Sequence, residues 1–369
     1  MSQAPGPGRR AAVTLEAVAK HVQVSRATVS LVLRGSPLVA AATRERVQAA
    51  MAELGYIYNR GAAKLRASSS KVIGVLIADL GNPFFGEMTA GVDNALSDAD
   101  WAVFLTNTGE SVAKQDIVLR RMREHGVDGV IVCPAAGSDE RLIHQLADWG
   151  LPCVQASRYV SLDGSDCVTT DYARGMHDAT RHLIGLGHRR IALIGGDRQH
   201  SATTARCEGY REAMRHAGLE ERFIGVATTR SAGADALNQL LDANEPPTAA
   251  VCYNDFVAHG AITALADRGM LAGRDFALVG FDDMNEASFC RPSLTTIKTR
   301  PYEIGERAGQ MLLARMANPD RPFDRVVFPA ELVVRESCGA ALGGSLGAGT
   351  ALGADRANAH NAVRQHVGA

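Results

Sequence analysis

What the chain lacks narrows its chemistry first. Its seven cysteines stand at 133, 153, 167, 207, 252, 290 and 338, no two closer than fourteen positions. With no CxxC pair, neither a zinc site of that spacing nor a dithiol redox motif fits. Cys133, Cys153 and Cys252 lie in apolar runs and read as buried free thiols of a reducing compartment. No apolar run approaches the roughly 20 residues of a membrane-spanning helix. The first ten residues, MSQAPGPGRR, hold no apolar h-region, so no secretory signal is expected and the cytoplasm is the expected location. HExxH, P-loop and strand-borne GxGxxG motifs are all missing. The GxSxG at residues 343–347 has no strand before it to form a nucleophile elbow, and the SxxK at 68–71 falls in a linker. His177, His182 and His188 lack ligand spacing, and the adjacent Asp282 and Asp283 point apart at a strand end. No catalytic residue, metal or cofactor is expected.

Net charge is nearly absent as well, at −1, but it is unevenly spread. Residues 1–71 carry eleven Lys/Arg against three Asp/Glu, a net of +8. The remaining 28 Lys/Arg and 37 Asp/Glu give −9. A basic head on an acidic body is suited to phosphate neutralisation.

The head's sequence agrees. Residues 13–34, VTLEAVAKHVQVSRATVSLVLR, form two short helices around a turn at Val22, Gln23 and Val24. Thr14 and Ser25 sit at cap positions, Leu15, Val18 and Ala19 share one face, and Val29, Val32 and Leu33 face inward. A third helix at 41–54, with Val47, Met51 and Leu54 as its stripe, completes the core. This is a helix-turn-helix unit whose second helix would enter a major groove. Arg26, Ala27, Thr28, Ser30 and Leu31 are left outside.

From residue 71 the period changes. Short apolar strands alternate with helices, which predicts parallel sheets covered on both faces. The pattern restarts near residue 170, giving two α/β lobes, each about a domain in size. The fold class is α/β: a three-helix DNA-binding domain before a two-lobed, doubly wound α/β body. The expected boundaries are a disordered arm at 1–10, the head at 11–58, a hinge and linker at 59–70, the body at 71–336 and a disordered tail at 337–369. The tail shows no sustained heptads, so it supplies no tetramer device.

In such sheets, ligands sit beyond the strands' carboxyl ends. Asp79, Asn82 and Phe84 follow the first strand, and Ser157 and Arg158 follow the run 153–156. Asn254 and Asp255 follow 249–252, and Asp282 follows 277–281. Each alone could be a cap or a surface group; four loops agreeing favour a polar site suited to a polyol such as a sugar.

VTLEAVAKHVQVSRATVSLVLRG, TRERVQAAMAELGYIYNR and KVIGVLIADLGNPFF resemble the lactose-repressor family of bacterial transcription regulators, from about Val13 to Val334. LVLRGSP, NRGAAKLR and VCYND look nearest its maltose-regulon repressor subgroup. The resemblance implies a homodimeric repressor that binds double-stranded operator DNA and a small-molecule effector, with maltose or another α-glucoside favoured. It implies base contacts by Arg26, Ala27 and Leu31, with Leu65 as a minor-groove wedge or hinge packing residue. Thr14, Ser25, Thr28, Ser30, Arg34, Tyr56 and Asn59 would meet phosphates, although Thr28 and Ser30 could equally be local caps. Ala40 stands where a phosphate-binding Ser is frequent. Arg206, Asn254, Asp255 and Asp282 match effector-contacting positions; Ser157 stands where many relatives have Asp. The chain would cross between lobes near 170, 294–296 and 322, placing 71–169 and 296–321 in lobe 1, and 170–295 and 322–336 in lobe 2. Competing classes are a sugar-binding transport protein, which would need a signal peptide and no basic head, and a sugar-processing enzyme, disfavoured by the missing catalytic groups.

Overall fold

The computed structural model describes residues 13–33, 36–56 and 69–340. Contacts divide the chain into two compact units, which part between Ser70 and Lys71. The expected arm, Arg34, the hinge residues Asn59 and Leu65, and most of the tail lie outside the described residues.

The head holds α1 (Leu15–His21), α2 (Arg26–Leu33) and α3 (Ala41–Leu54). Its core is Val18, Val22, Val29, Val32, Val39 and Val47 with Ala19 and Ala50. The Thr14 hydroxyl accepts from Ala17 N at 3.2 Å, and Ser25 Oγ accepts from Thr28 N at 3.0 Å, so both helices begin on side-chain caps. Arg46 Nη2 donates to Val22 O at 2.9 Å and ties α3 to the turn.

The body's first sheet runs β11-β5-β4-β3-β1-β2, all parallel. In chain order its strands are β1 (Val72–Ile77), β2 (Ala102–Asn107), β3 (Gly129–Val132), β4 (Cys153–Ala156), β5 (Asp166–Thr170) and, late in the chain, β11 (Arg325–Phe328). Helices α4 (Pro83–Ser97), α5 (Val112–His125) and α6 (Arg141–Asp148) cover it, joined by α12 (Pro301–Ala317). The second sheet runs β7-β6-β8-β9, from β6 (Ile191–Ile194), β7 (Arg222–Ile224), β8 (Ala249–Cys252) and β9 (Ala277–Val279). Its helices are α7 (Tyr172–Gly185), α8 (Ser201–His216), α9 (Arg230–Leu241) and α10 (Asp255–Asp267), with the short α11 (Glu286–Phe289) beyond β9. A two-stranded antiparallel ribbon, β10 (Thr296–Lys298) with β12 (Glu331–Val333), lies beside lobe 2. No described helix is long and apolar enough to cross a membrane.

Three boundaries differ from expectation. The second crossing comes at residues 299–300, not 294–296, because β10 stays with lobe 2: Gly280 N donates to Thr295 O and Asp282 N to Ile297 O, both at 2.8 Å. The third comes at 329–330, not 322, because β11 adds a parallel edge to β5 of lobe 1. The body also runs past 336: Ser337 and Cys338 are buried, and Leu278 N donates to Ser337 O at 2.8 Å. Strands of three to five residues have too short a period to stand out in sequence.

Helix pairs seat on each sheet through glycines. A Cβ at Gly91 of α4 would lie 2.0 Å from Tyr302 O of α12, and one at Gly305 would lie 1.8 Å from Met88 O. The helices approach too closely there for any side chain. Gly305→Ala is expected to destabilise the body by about 1–3 kcal/mol, after any gain in helix propensity, through forced separation of α4 and α12. The denaturant midpoint of body unfolding measures it; an unchanged midpoint would mean the helices do not cross at this spacing.

Candidate effector cleft and DNA-binding face

Strand order reverses between β1 and β3 in lobe 1 and between β6 and β8 in lobe 2. The cleft opens at the carboxyl ends of these strands, as that topology requires. It measures about 440 Å³, including the solvent at its mouth. Asp79, Asn82, Phe84, Ser157, Arg158, Arg206, Asn254 and Asp282 all line it. Eight of the nine expected residues are therefore brought together.

Asp255 is the exception. It is fully buried, with Oδ1 accepting from Thr296 Oγ1 at 2.6 Å and Oδ2 from Met284 N at 2.8 Å. Oδ2 thus braces the loop that carries Asp282, and Oδ1 ties the residue to β10. Burial holds its carboxyl well above the ordinary range, with Asp282 adding to the rise.

Arg206 is the centre of the wall. Its guanidinium carbon lies 4.2 Å from the ring centroids of Tyr172 and Phe281 and 4.5 Å from that of Tyr253. Nη2 donates to Asp282 Oδ1 at 3.3 Å, while Nε is buried with no partner among the described residues. A buried arginine with unused donors is costly unless something supplies acceptors. Burial pushes Asp282 up to about 7, against the downward pull of Arg206, and Glu87 adds to the rise. On the opposite lobe Arg158 Nη1 contacts both Glu110 oxygens, at 2.8 and 3.0 Å, and Glu110 also accepts from Ala136 N at 2.9 Å.

The caps that start the helices also shape the cleft. Asn82 Oδ1 accepts from Phe84 N at 3.0 Å, and Asn254 Oδ1 accepts from Val257 N at 3.0 Å. With the oxygens engaged, each side-chain NH2 is left as a donor. Asp79 Oδ1 accepts from Gly81 N at 2.9 Å. Glu110, Ser157 and Asp282 hold positive φ, at 61, 68 and 116°. Such backbone strain in non-glycine residues clusters at binding sites.

Three contacts bridge the lobes beside the cleft. Ser157 Oγ and Tyr172 Oη lie 2.9 Å apart, Tyr159 N donates to Ser201 Oγ at 2.9 Å, and Gly137 N donates to Gln199 O at 3.1 Å. Ser157 thus binds protein, which explains how a hydroxyl can occupy this strand end.

Sequence reasoning missed Glu110, Tyr172 and Tyr253 on the wall and Phe281 behind it. Glu110 obeys the same strand-end rule after β2. Tyr253 and Phe281 each immediately precede a residue that was chosen, Asn254 and Asp282. Nothing in the sequence marks Tyr172 as the partner of Arg206.

On the head, Arg26 and Ala27 are exposed at the start of α2, whereas Leu31 is half-buried against the core. Thr14 and Ser25 spend an acceptor on capping, and Ser25 Oγ lies 2.9 Å from Thr28 Oγ1. Ser30 and Tyr56 are half-buried. Ala40 caps α3 with no side-chain bond.

His188 and His182 serve packing: His188 Nδ1 lies 2.8 Å from Thr248 Oγ1, and His182 Nε2 lies 3.2 Å from Cys338 Sγ. Six of the seven cysteines are buried, and Cys290 is half-buried. No group of three His, Cys, Asp or Glu among the described residues could hold a metal.

The raised Asp282 carboxyl gives a stability test. Between the unfolded value near 4 and the folded value of about 7, the native state binds more protons than the unfolded one, so stability falls as pH rises through that window. Asp282→Asn abolishes this dependence. Relative to wild type, its melting temperature should rise progressively from about pH 4 to about pH 7 and then level off. A difference independent of pH would place the Asp282 carboxyl in water.

Residues 70–334 match the model of periplasmic binding proteins and the sugar-binding domain of the LacI family, and residues 14–59 match that of bacterial regulatory proteins of the lacI family. The maltose regulon regulatory protein MalI of Escherichia coli K12 is 32% identical over 333 residues, covering 87% of this chain and 97% of that protein. The crystal structure of the lac repressor dimer bound to operator and the anti-inducer ONPF superposes with a TM-score of 0.78 at 27% identity, over 89% of this chain and 99% of that one. A complex of the transcriptional regulator CelR with cellobiose gives 0.68 at 30% identity, over 88% and 99%. The chain belongs to the LacI family: it is a DNA-binding transcriptional repressor under effector control, not an enzyme.

Proposed function

We propose that the body binds a neutral sugar, with maltose or another α-glucoside the first candidate, and that a homodimer of the chain reads a pseudo-palindromic operator. The observation that carries the sugar reading is the buried Arg206, stacked on aromatic rings and left with unused donors beside Asp282 and Asn254. Carboxylates, amides and guanidinium groups around aromatic faces suit a polyol's hydroxyls and its apolar ring face. The cellobiose in the CelR complex and the maltose regulon of MalI are in keeping with a sugar. The lac repressor's dimer on operator supports the same assembly here.

Calorimetric titration of the full-length protein with maltose, other α-glucosides, cellobiose and ribose tests the effector class. Arg206→Ala should weaken the sugar that binds by about 1.5–3 kcal/mol while leaving sugar-free operator affinity intact. Retained sugar affinity would put Arg206 outside the site, and a wild-type protein that binds none of the panel would overturn the sugar reading.

On the DNA side, Arg26 is exposed at the start of α2, where a guanidinium reaches guanine. Ala27 and Leu31 offer only apolar contact, such as a thymine methyl. Thr14, Ser25, Thr28, Ser30 and Tyr56 are proposed for phosphates, with Thr14 and Ser25 doubling as caps. Arg26→Ala should cost about 1–3 kcal/mol on DNA from upstream of the chain's own gene and relax preference at one symmetric base pair. Gel shifts read this. Equal weakening on random DNA would make Arg26 a phosphate contact instead.

A further inference from the structure

We infer that His200 is a positioning residue: it fixes the phenol of Tyr253 so that the O–H is donated into the effector cleft. The inference deepens the reading of that cleft as the effector site and rests on it.

His200 is the N-cap of α8, and its Nδ1 accepts from Thr203 N at 3.2 Å. A ring nitrogen that accepts a backbone N–H carries no proton, so the neutral ring must carry its proton on Nε2. Nε2 lies 3.3 Å from Tyr253 Oη and 3.1 Å from Thr203 Oγ1. Whichever oxygen that N–H favours, His200 has no lone pair left for the Tyr253 proton. Among the described residues no other group takes it, and Tyr253 lines the cleft. The His200 and Tyr253 rings meet edge to face, 6.4 Å apart, which holds the phenol in this direction.

The alternative is a charged His200, whose Nδ1–H would confront the Thr203 N–H. Its surroundings oppose that. Burial first, then the positive charges of Arg158, Arg206 and Arg198, depress its proton affinity to about 2. The tautomer is therefore fixed by the helix cap across the working pH range.

The consequence is a row of three donors beside the Asp282 carboxyl. Tyr253 Oη–H joins Asn254 Nδ2 and the unused donors of Arg206, all on lobe 2. The effector atoms that meet these three donors are acceptors, such as a ring, glycosidic or carbonyl oxygen, or a hydroxyl that donates elsewhere, for instance to the Asp282 carboxyl beside them.

Two measurements test the inference, and the first needs no ligand. In sugar-free, full-length protein labelled with ¹⁵N-histidine, the His200 ring signals are identified by their loss in His200→Asn. They should show a bare Nδ1 and a protonated Nε2, unchanged from about pH 5 to about pH 8. Tyr253→Phe should shift the Nε2 signal. The opposite tautomer, or titration near the ordinary histidine value, overturns the inference whether or not any sugar binds. The second is a double-mutant cycle read by calorimetry, with maltose, cellobiose and ribose as probes. Asn keeps a capping oxygen but lacks the ring N–H. His200→Asn and Tyr253→Phe should each weaken the sugar that binds by about tenfold, and the double variant no more than Tyr253→Phe alone. Independent, multiplying losses would mean that His200 acts by a route other than Tyr253, and no loss in His200→Asn would reduce it to a cap. If none of the probes binds wild-type protein, the sugar reading fails and the ¹⁵N signals alone decide the role of His200.

Discussion

A guanidinium enclosed by three aromatic rings is the constraint around which the cleft between the lobes is built. Arg206 is 4% exposed, so its charge has lost nearly all of its water. The rings of Tyr172, Tyr253 and Phe281 return part of that loss through their π faces. Asp282 returns less than a full ion pair, since its contact is 3.3 Å long and burial pushes its own carboxyl to about 7. Within the protein, charge and partner are both held short of satisfaction. A ligand that supplies acceptors relieves a cost already present, which gives it a differential affinity for this arrangement of loops.

That arrangement depends on both lobes. Tyr172 opens the first helix of lobe 2, yet its hydroxyl meets Ser157 at a strand end of lobe 1. Tyr159 and Gly137 of lobe 1 meet Ser201 and Gln199 at the start of α8, the helix that carries Arg206. The three crossing strands meet where Thr170 Oγ1 donates to Thr299 O at 3.1 Å and Asp171 N to Phe328 O at 3.0 Å. Arg206 therefore stands on a helix whose N-terminus is already tied to the opposite lobe. Coupling to the operator requires that the ligand favour one lobe arrangement over another and that the two arrangements differ in operator affinity.

The head is stabilised by different means. Its core consists almost wholly of valines and alanines on three short helices, and hydroxyl caps begin two of them. Capping already engages the side chains proposed for phosphate contact. Ser25 and Thr28 bond each other, so a phosphate would have to share Ser25 Oγ or displace Thr28. Arg26 and Ala27, exposed and uncommitted to the core, are free of that competition.

The sequence by itself determined whatever rests on local period, capping chemistry and charge. The three head helices, the repeated strand–helix alternation and the polar residues at strand ends were legible because helix and strand periods repeat over many residues and Asn or Ser before a helix has a fixed use. That covered eight of the nine expected effector residues, all now found on one cleft. Tertiary structure alone decided the rest. Asp255 occupies the same kind of position as Asn254, and only the placement of Thr296 and Met284 turned it away from the cleft. Strands β5, β10, β11 and β12 exist because a neighbouring strand completes their hydrogen bonds, a condition that three to five residues cannot announce. Tyr172, Tyr253 and Phe281 come from three separate segments, and their shared role follows from a cation placed between them by a helix of a fourth. Contacts between residues so distant in the chain leave no period to read: they depend on how the sheets twist and how closely glycines let the helices approach.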